Sequence, residues 1–140
     1  MKERFSQKKT PSMQRNNRYL LDTHIFIWWM RKSEKIKVFE PIFLNPEIKI
    51  YLSVVNIWEI VVKKKIGKLR PPRGWKEDVM ASGFEILPIS LEHIYSLENL
   101  PLYHKDPFDR MLVAQAKVED LTLITNDKKI WKYKIDVLKA

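Results

Sequence analysis

Four acidic residues are spaced so that the chain could do chemistry with them: Asp22, Glu59, Asp109 and Asp127. Asp22 directly follows the apolar stretch Tyr19-Leu20-Leu21, and Asp127 lies two residues beyond Thr125, at the end of a second such stretch. Packed together, four carboxylates repel and raise each other's pKa values. A divalent cation removes that repulsion, and carboxylates with few histidines and no thiolates suit Mg²⁺ or Mn²⁺. Such a cation activates water and neutralises charge on a phosphate, which is the chemistry of phosphodiester hydrolysis.

Each acid also has a plainer role. Asp22 and Asp127 would cap helices that follow them. Glu59 would pair on a helix surface with Lys63, four residues on and in the favoured order. At about 100° per residue, Glu59 falls at the rim of an apolar arc formed by Ile57, Trp58 and Ile66. Asp106-Pro107-Phe108-Asp109 reads as a capping box, with Asp106 as the N-cap. Yet Asp109 has Leu112 and Val113 at i+3 and i+4, and an acid turned toward apolar neighbours needs a partner.

The elements that must position these acids alternate. Short apolar strands are expected at 19–21, 48–52, 84–87 and 121–125, with a weaker one at 135–138. Helical patterns fall at 24–31, 33–44 (disturbed by Pro41), 54–66, 75–81, 91–97 and 107–118, the last with Pro107 at its first position. Strands alternating with helices argue for an α/β fold with a mainly parallel sheet. In such sheets ligands bind beyond the carboxyl ends of the strands, where Asp22 and Asp127 are expected.

Composition narrows the chemistry further. The chain has 140 residues, 45% of them hydrophobic and 31% charged, which fits one globular domain. It has no cysteine, which removes disulfides, thiolate metal sites and cysteine nucleophiles together. Its three histidines (His24, His93, His104) include no H-x-x-x-H pair, so a zinc site is not expected. The net charge is +9, and residues 1–18 carry +5 of it. Those residues are expected to form a flexible basic arm, and residues 19–140 a single domain. Met13 is an alternative start, which would make the first twelve residues foreign to the natural protein. The longest apolar run near the start, Ile25 to Met30, is too short for a membrane span or a signal peptide, so the cytoplasm is expected. The basic run Lys63-Lys64-Lys65, Lys68, Arg70 and Arg73 would either guide a nucleic acid or simply be solvated.

The ordered set of motifs resembles a known family. Leu20-Leu21-Asp22-Thr23-His24, Ser53-Val54-Val55-Asn56-Ile57-Trp58-Glu59-Ile60, His104-Lys105-Asp106-Pro107-Phe108-Asp109-Arg110 and Thr125-Asn126-Asp127 together resemble PIN-domain proteins, in particular the VapC-type ribonuclease toxins of toxin–antitoxin pairs. The resemblance spans about residues 19–138. It implies a three-layer α/β/α sandwich with strand order 3-2-1-4-5, and Mg²⁺-dependent endoribonuclease activity by metal-activated water. Asp22, Glu59, Asp109 and Asp127 match the family's acidic quartet. Asp22 and Asp109 are thereby implied as metal ligands, directly or through water, with Glu59 and Asp127 completing the pocket. Thr23 and Thr125 match supporting positions, and Arg110 and His104 would contact RNA phosphate. The resemblance also implies a VapB-like antitoxin and a homodimer; Trp28 and Trp29 would belong to a groove for the antitoxin, or one of the two would pack in the core. The arm before Tyr19 departs from the family pattern.

Three other readings compete. A non-catalytic nucleic-acid-binding module would use the basic arm and loop, with the acids as caps. An aspartyl phosphatase needs a second Asp two residues after Asp22, where His24 stands instead. A receiver-like domain needs an Asp after the third strand, which here ends at Leu87-Pro88.

Overall fold

The computed structural model describes residues 17–140. All but the last two residues of the expected arm lie outside the described residues, and Arg18 already belongs to the first strand.

Five short strands build the sheet: β1 (Arg18–Leu21), β2 (Lys49–Ser53), β3 (Glu85–Leu87), β4 (Thr122–Thr125) and β5 (Val137–Lys139). Their order is β3-β2-β1-β4-β5, and every neighbouring pair is parallel. This is the order the resemblance implies. Strand β1 is central and lies against β4 in the register Tyr19↔Thr122, Leu20↔Leu123, Leu21↔Ile124.

Because side chains alternate along a strand, the sheet feeds two cores. Leu20 and Leu123 face one, with Leu112, Val113 and Ala116 of helix α6 (Pro107–Glu119). Tyr19, Leu21 and Ile124 face the other, with Ile25 and Phe26 of helix α1 (Thr23–Met30). Helix α3 (Val54–Lys65) contributes Val55 to the first core and Ile60 to the second. Burial on both faces explains why the strands read as continuous apolar runs.

The expected helix over 33–44 is two pieces. A 3₁₀ segment (Glu34–Phe39), capped by Ser33, is followed by the single-turn helix α2 (Glu40–Phe43). Pro41 sits in the first turn of α2, where its missing N–H costs nothing, so it starts a helix rather than disturbing one. Helices α4 (Trp75–Ala81) and α5 (Leu91–Ser96) flank β3 close to their expected positions. Among the described residues, no helix is long and apolar enough to cross a membrane.

Candidate active site

The strand order reverses between β1 and β4. Asp22 follows β1 and Asp127 follows β4, so these two acids flank the switch point. Glu59 is in the second turn of α3, which leaves the end of β2 directly. Asp109 is in the first turn of α6.

Local sequence sets each of these starts. Helix α3 begins with a reciprocal capping box: the Ser53 hydroxyl accepts the Val55 N–H at 2.9 Å, and Asn56 Oδ1 accepts the Ser53 N–H at 2.8 Å. Helix α6 begins with Asp106, whose Oδ1 accepts the N–H groups of Phe108 (2.8 Å) and Asp109 (3.1 Å). That leaves the Asp109 carboxylate free of capping duty.

Asp22 is 2% exposed, and its side chain does not cap α1. Instead its Oδ2 accepts the Thr125 hydroxyl at 2.5 Å. The same Thr125 oxygen accepts the Asp127 N–H at 3.0 Å, so one hydroxyl ties two of the acids together. Thr23 does the equivalent for the third: its hydroxyl donates to Glu59 Oε1 at 2.5 Å and accepts from Asn56 Nδ2 at 2.9 Å. Asn56 Nδ2 also donates to the Leu21 carbonyl at 3.0 Å, which locks α3 against the end of β1.

Asp127 has a double role. Its Oδ1 accepts the Lys129 N–H at 2.9 Å and closes a turn, as a capping residue would. Its Oδ2 receives a hydrogen bond from His104 Nε2 at 2.7 Å. The tautomer follows from the other ring nitrogen. Nδ1 accepts the Asp106 N–H at 3.1 Å, so the ring proton of neutral His104 sits on Nε2. His104 therefore donates to the acids, with Asp109 Oδ2 also 3.1 Å from Nε2.

Asp109 is the common member. One of its carboxylate oxygens lies within 4.8 Å of carboxylate oxygens of Glu59 and Asp106 on one side, and one within 4.8 Å of a His104 ring nitrogen and an Asp127 oxygen on the other. Asp22 is in neither triplet, but its charge is felt at Asp109. Burial first, then the carboxylates of Asp22, Asp106, Glu59 and Asp127, push the Asp109 carboxyl up to about 8. Burial also raises Asp22, against the Thr125 hydrogen bond and the nearby His24, while Glu59 adds to the rise. For Asp106 burial acts upward too, but the Asp109 N–H, the Lys63 ammonium and the Phe108 N–H outweigh it and hold the carboxyl low.

Several expectations need revision. Arg110, expected at RNA phosphate, spends its guanidinium on the chain itself: Nη1 donates to the Pro101 carbonyl at 2.8 Å and Nη2 to the Leu100 carbonyl at 3.2 Å. It ties the loop before α6 to the helix. The Glu59–Lys63 pair exists at 2.5 Å, but Glu59 is 3% exposed, so this is no ordinary surface pair. Of the two tryptophans considered for a groove, Trp29 packs on Phe26 and Phe84, and Trp28 is half-buried under the Lys35 ammonium. Sequence reasoning missed Ser53, Asn56 and Gln115, whose Oε1 accepts the Ser53 hydroxyl at 2.6 Å. The Ser53–Asn56 spacing directly after a strand was the available signal for the first two.

The donor set fits a hard divalent cation. It is made of clustered, largely buried carboxylate oxygens, with no thiolate and with its single histidine committed as a donor. Crowding of carboxylates raises the cost of ionising Asp109, and a divalent cation would offset that cost.

A fully parallel sheet with a carboxylate pit at its switch point defines an α/β protein with an acidic site. The PIN domain profile matches residues 19–135, and the chain belongs to the PIN domain family, whose members are generally nucleases. No curated protein sequence matches the chain. Several solved structures share its fold. VapBC2 from Rickettsia felis, bound to a promoter DNA fragment, is similar at 20% identity and a TM-score of 0.67, covering 87% of this chain and 98% of that one. A toxin–antitoxin complex from Klebsiella pneumoniae is similar at 22% identity and a TM-score of 0.62, covering 86% and 96%. FitAcB from Neisseria gonorrhoeae is similar at 22% identity and a TM-score of 0.60, with the same coverage.

Proposed function

We propose that this protein is a divalent-cation-dependent endoribonuclease that acts in the cytoplasm as the toxin of a toxin–antitoxin pair. The observation that carries this reading is the crowding at Asp109, a buried carboxyl whose oxygens lie within 4.8 Å of ligand atoms of Glu59 and Asp106 and of His104 and Asp127. A protein gains nothing for stability from such an arrangement, and clusters of this kind mark functional sites. Family membership supports a nuclease. The named toxin–antitoxin complexes among the similar structures support an antitoxin partner, which we take to be of VapB type; that the toxin works as a homodimer is part of the same proposal.

Asp22 and Asp109 would hold Mg²⁺ or Mn²⁺, with Asp127 and Glu59 completing the negative pocket. A cation bound there supplies a more acidic water and charge neutralisation at the phosphate. The chain's own residues do the rest. Thr125 and Thr23 orient Asp22 and Glu59 through short hydroxyl donations. His104 fixes Asp127 and keeps its Nε2 proton directed at the acids. The pit's own charge repels phosphate, so RNA binding needs the basic surface around Lys64, Lys68 and Arg73. In-line attack by water would leave a 5′-phosphate and a 3′-hydroxyl.

The competing reading, a nucleic-acid-binding module that cleaves nothing, needs the acids as caps. Asp22 caps nothing, which weighs against it. The test is expression in growing cells of the wild-type protein and the Asp109→Ala variant, followed by mapping of RNA ends. Growth arrest and new RNA ends are expected with the wild type alone. Arrest that survives the substitution would overturn the mechanism.

A further inference from the structure

Lys63 is one of three consecutive lysines at the end of α3, yet it alone turns back into the pit. Its Nζ is 2.5 Å from Glu59 Oε2 and 3.2 Å from Asp106 Oδ2. Its neighbours Lys64 and Lys65 are exposed. The ammonium also lies 5.7 Å from the centre of the Phe108 ring, which packs edge-on against Trp58. Lys63 thus joins α3 to the start of α6, the helix that carries Asp109.

Both Glu59 oxygens are occupied, one by the Thr23 hydroxyl and the other by Lys63. Asp106 is occupied in the same way, by its cap on one oxygen and Lys63 on the other. Neither Asp22 nor Asp109 is paired with a lysine or arginine among the described ion pairs; Asp109 has only the His104 Nε2 donor, at 3.1 Å. An exposed Glu–Lys pair on a helix contributes a few tenths of a kcal/mol and constrains nothing. A buried carboxylate with one cationic partner is different, because losing the partner leaves an uncompensated charge.

We infer that Lys63 is the resident counter-cation of the acid pit. It satisfies Glu59 and Asp106, directs an incoming divalent cation to Asp22, Asp109 and Asp127, and competes with that cation for Glu59. Lys63 is a positioning residue: it sets how much negative charge the pit offers and which oxygens offer it. The inference rests on the reading of the pit as a divalent-cation site. It distinguishes Lys63 from the other basic residues of its run, whose charges face solvent.

The test is Mn²⁺ binding by calorimetry and by electron paramagnetic resonance, on the wild-type, Lys63→Met and Lys63→Arg proteins. Removing a positive charge in contact with the pit should tighten Mn²⁺ binding by about tenfold, since a nearby unit charge acts strongly at this burial. Lys63→Arg should stay within about twofold of the wild type, as the charge is kept. A strut with no electrostatic role would give unchanged or weaker binding in Lys63→Met, and that result overturns the inference. If Lys63→Met is unfolded without cation, refolding driven by Mn²⁺ supports the inference, and failure to refold at saturating Mn²⁺ overturns it. Absence of Mn²⁺ binding by the folded wild-type protein would instead sink the reading of the pit itself.

Discussion

The Asp109→Asn variant should be more stable than the wild-type protein at high pH when no divalent cation is present. In the folded chain the Asp109 carboxyl moves from the ordinary 3.8 to about 8. Between those values the native state keeps a proton that the unfolded state has lost. The native state therefore binds more protons, and stability falls as pH rises across that window and levels off above it. Below about pH 4 the contribution is fully present. Each tenfold change in proton affinity corresponds to about 1.4 kcal/mol, so the ceiling on the loss is about 6 kcal/mol. Relaxation and water entry reduce this to about 2–3 kcal/mol. The side chain is only 12% exposed, so solvent screening does not erase the effect. Asparagine keeps the shape and can still accept from His104, but it carries no charge to expel. Urea unfolding with a chelator present, at pH 5.5, 7 and 8.5, measures the difference directly. The two proteins should differ least below about pH 4, by about 1 kcal/mol at pH 5.5 and by about 2–3 kcal/mol at pH 8.5. Some slope should remain in the variant, because burial also raises Asp22. Added Mg²⁺ should stabilise the wild type at high pH and the variant much less. Parallel curves for the two proteins would refute the reasoning.

Two further substitutions probe the scaffold. Asn56→Leu removes one amide that serves the Ser53 N–H, the Leu21 carbonyl and the Thr23 hydroxyl, all buried. It should cost about 3 kcal/mol in urea unfolding, as the partners are left unsatisfied. Arg110→Met removes the donor that holds the carbonyls of Leu100 and Pro101. Amide hydrogen exchange over residues 97–104 should accelerate at least tenfold, while the strands keep their protection.

Much of this fold was readable before any coordinates. Strands buried on both faces show as unbroken apolar runs, so Leu20-Leu21 and Leu123-Ile124 stood out. The DPFDR block announced a helix start through Asp106 and Pro107, and the structure has that cap. The gathering of Asp22, Glu59, Asp109 and Asp127 near one sheet edge was an inference from alternation; in the structure Glu59 and Asp127 each come close to Asp109, while Asp22 is in neither group. What spacing does not encode is the partner of a side chain far away in the chain. Lys63 reaches Asp106, 43 residues on, and Thr125 reaches Asp22, 103 residues back. The resemblance offers Arg110 to RNA phosphate, and its place on a helix otherwise offers it to solvent. Its true partners are loop carbonyls, whose position depends on how the chain folds back from α5 to α6. Pro41 was misread for a related reason, since its effect depends on whether a helix turn begins or continues at that point.

The account stands on one claim, that the carboxylates around Asp109 hold a divalent cation for cutting a phosphodiester backbone. End-labelled RNA incubated with the purified wild-type protein and the Asp22→Asn variant, each with Mg²⁺ or with a chelator, tests it directly. Cleavage to 5′-phosphate ends by the wild type with Mg²⁺, and by none of the other three combinations, is the expected result. Cleavage that persists in the chelator or in the variant would contradict the claim, as would RNA left intact by the wild type with Mg²⁺.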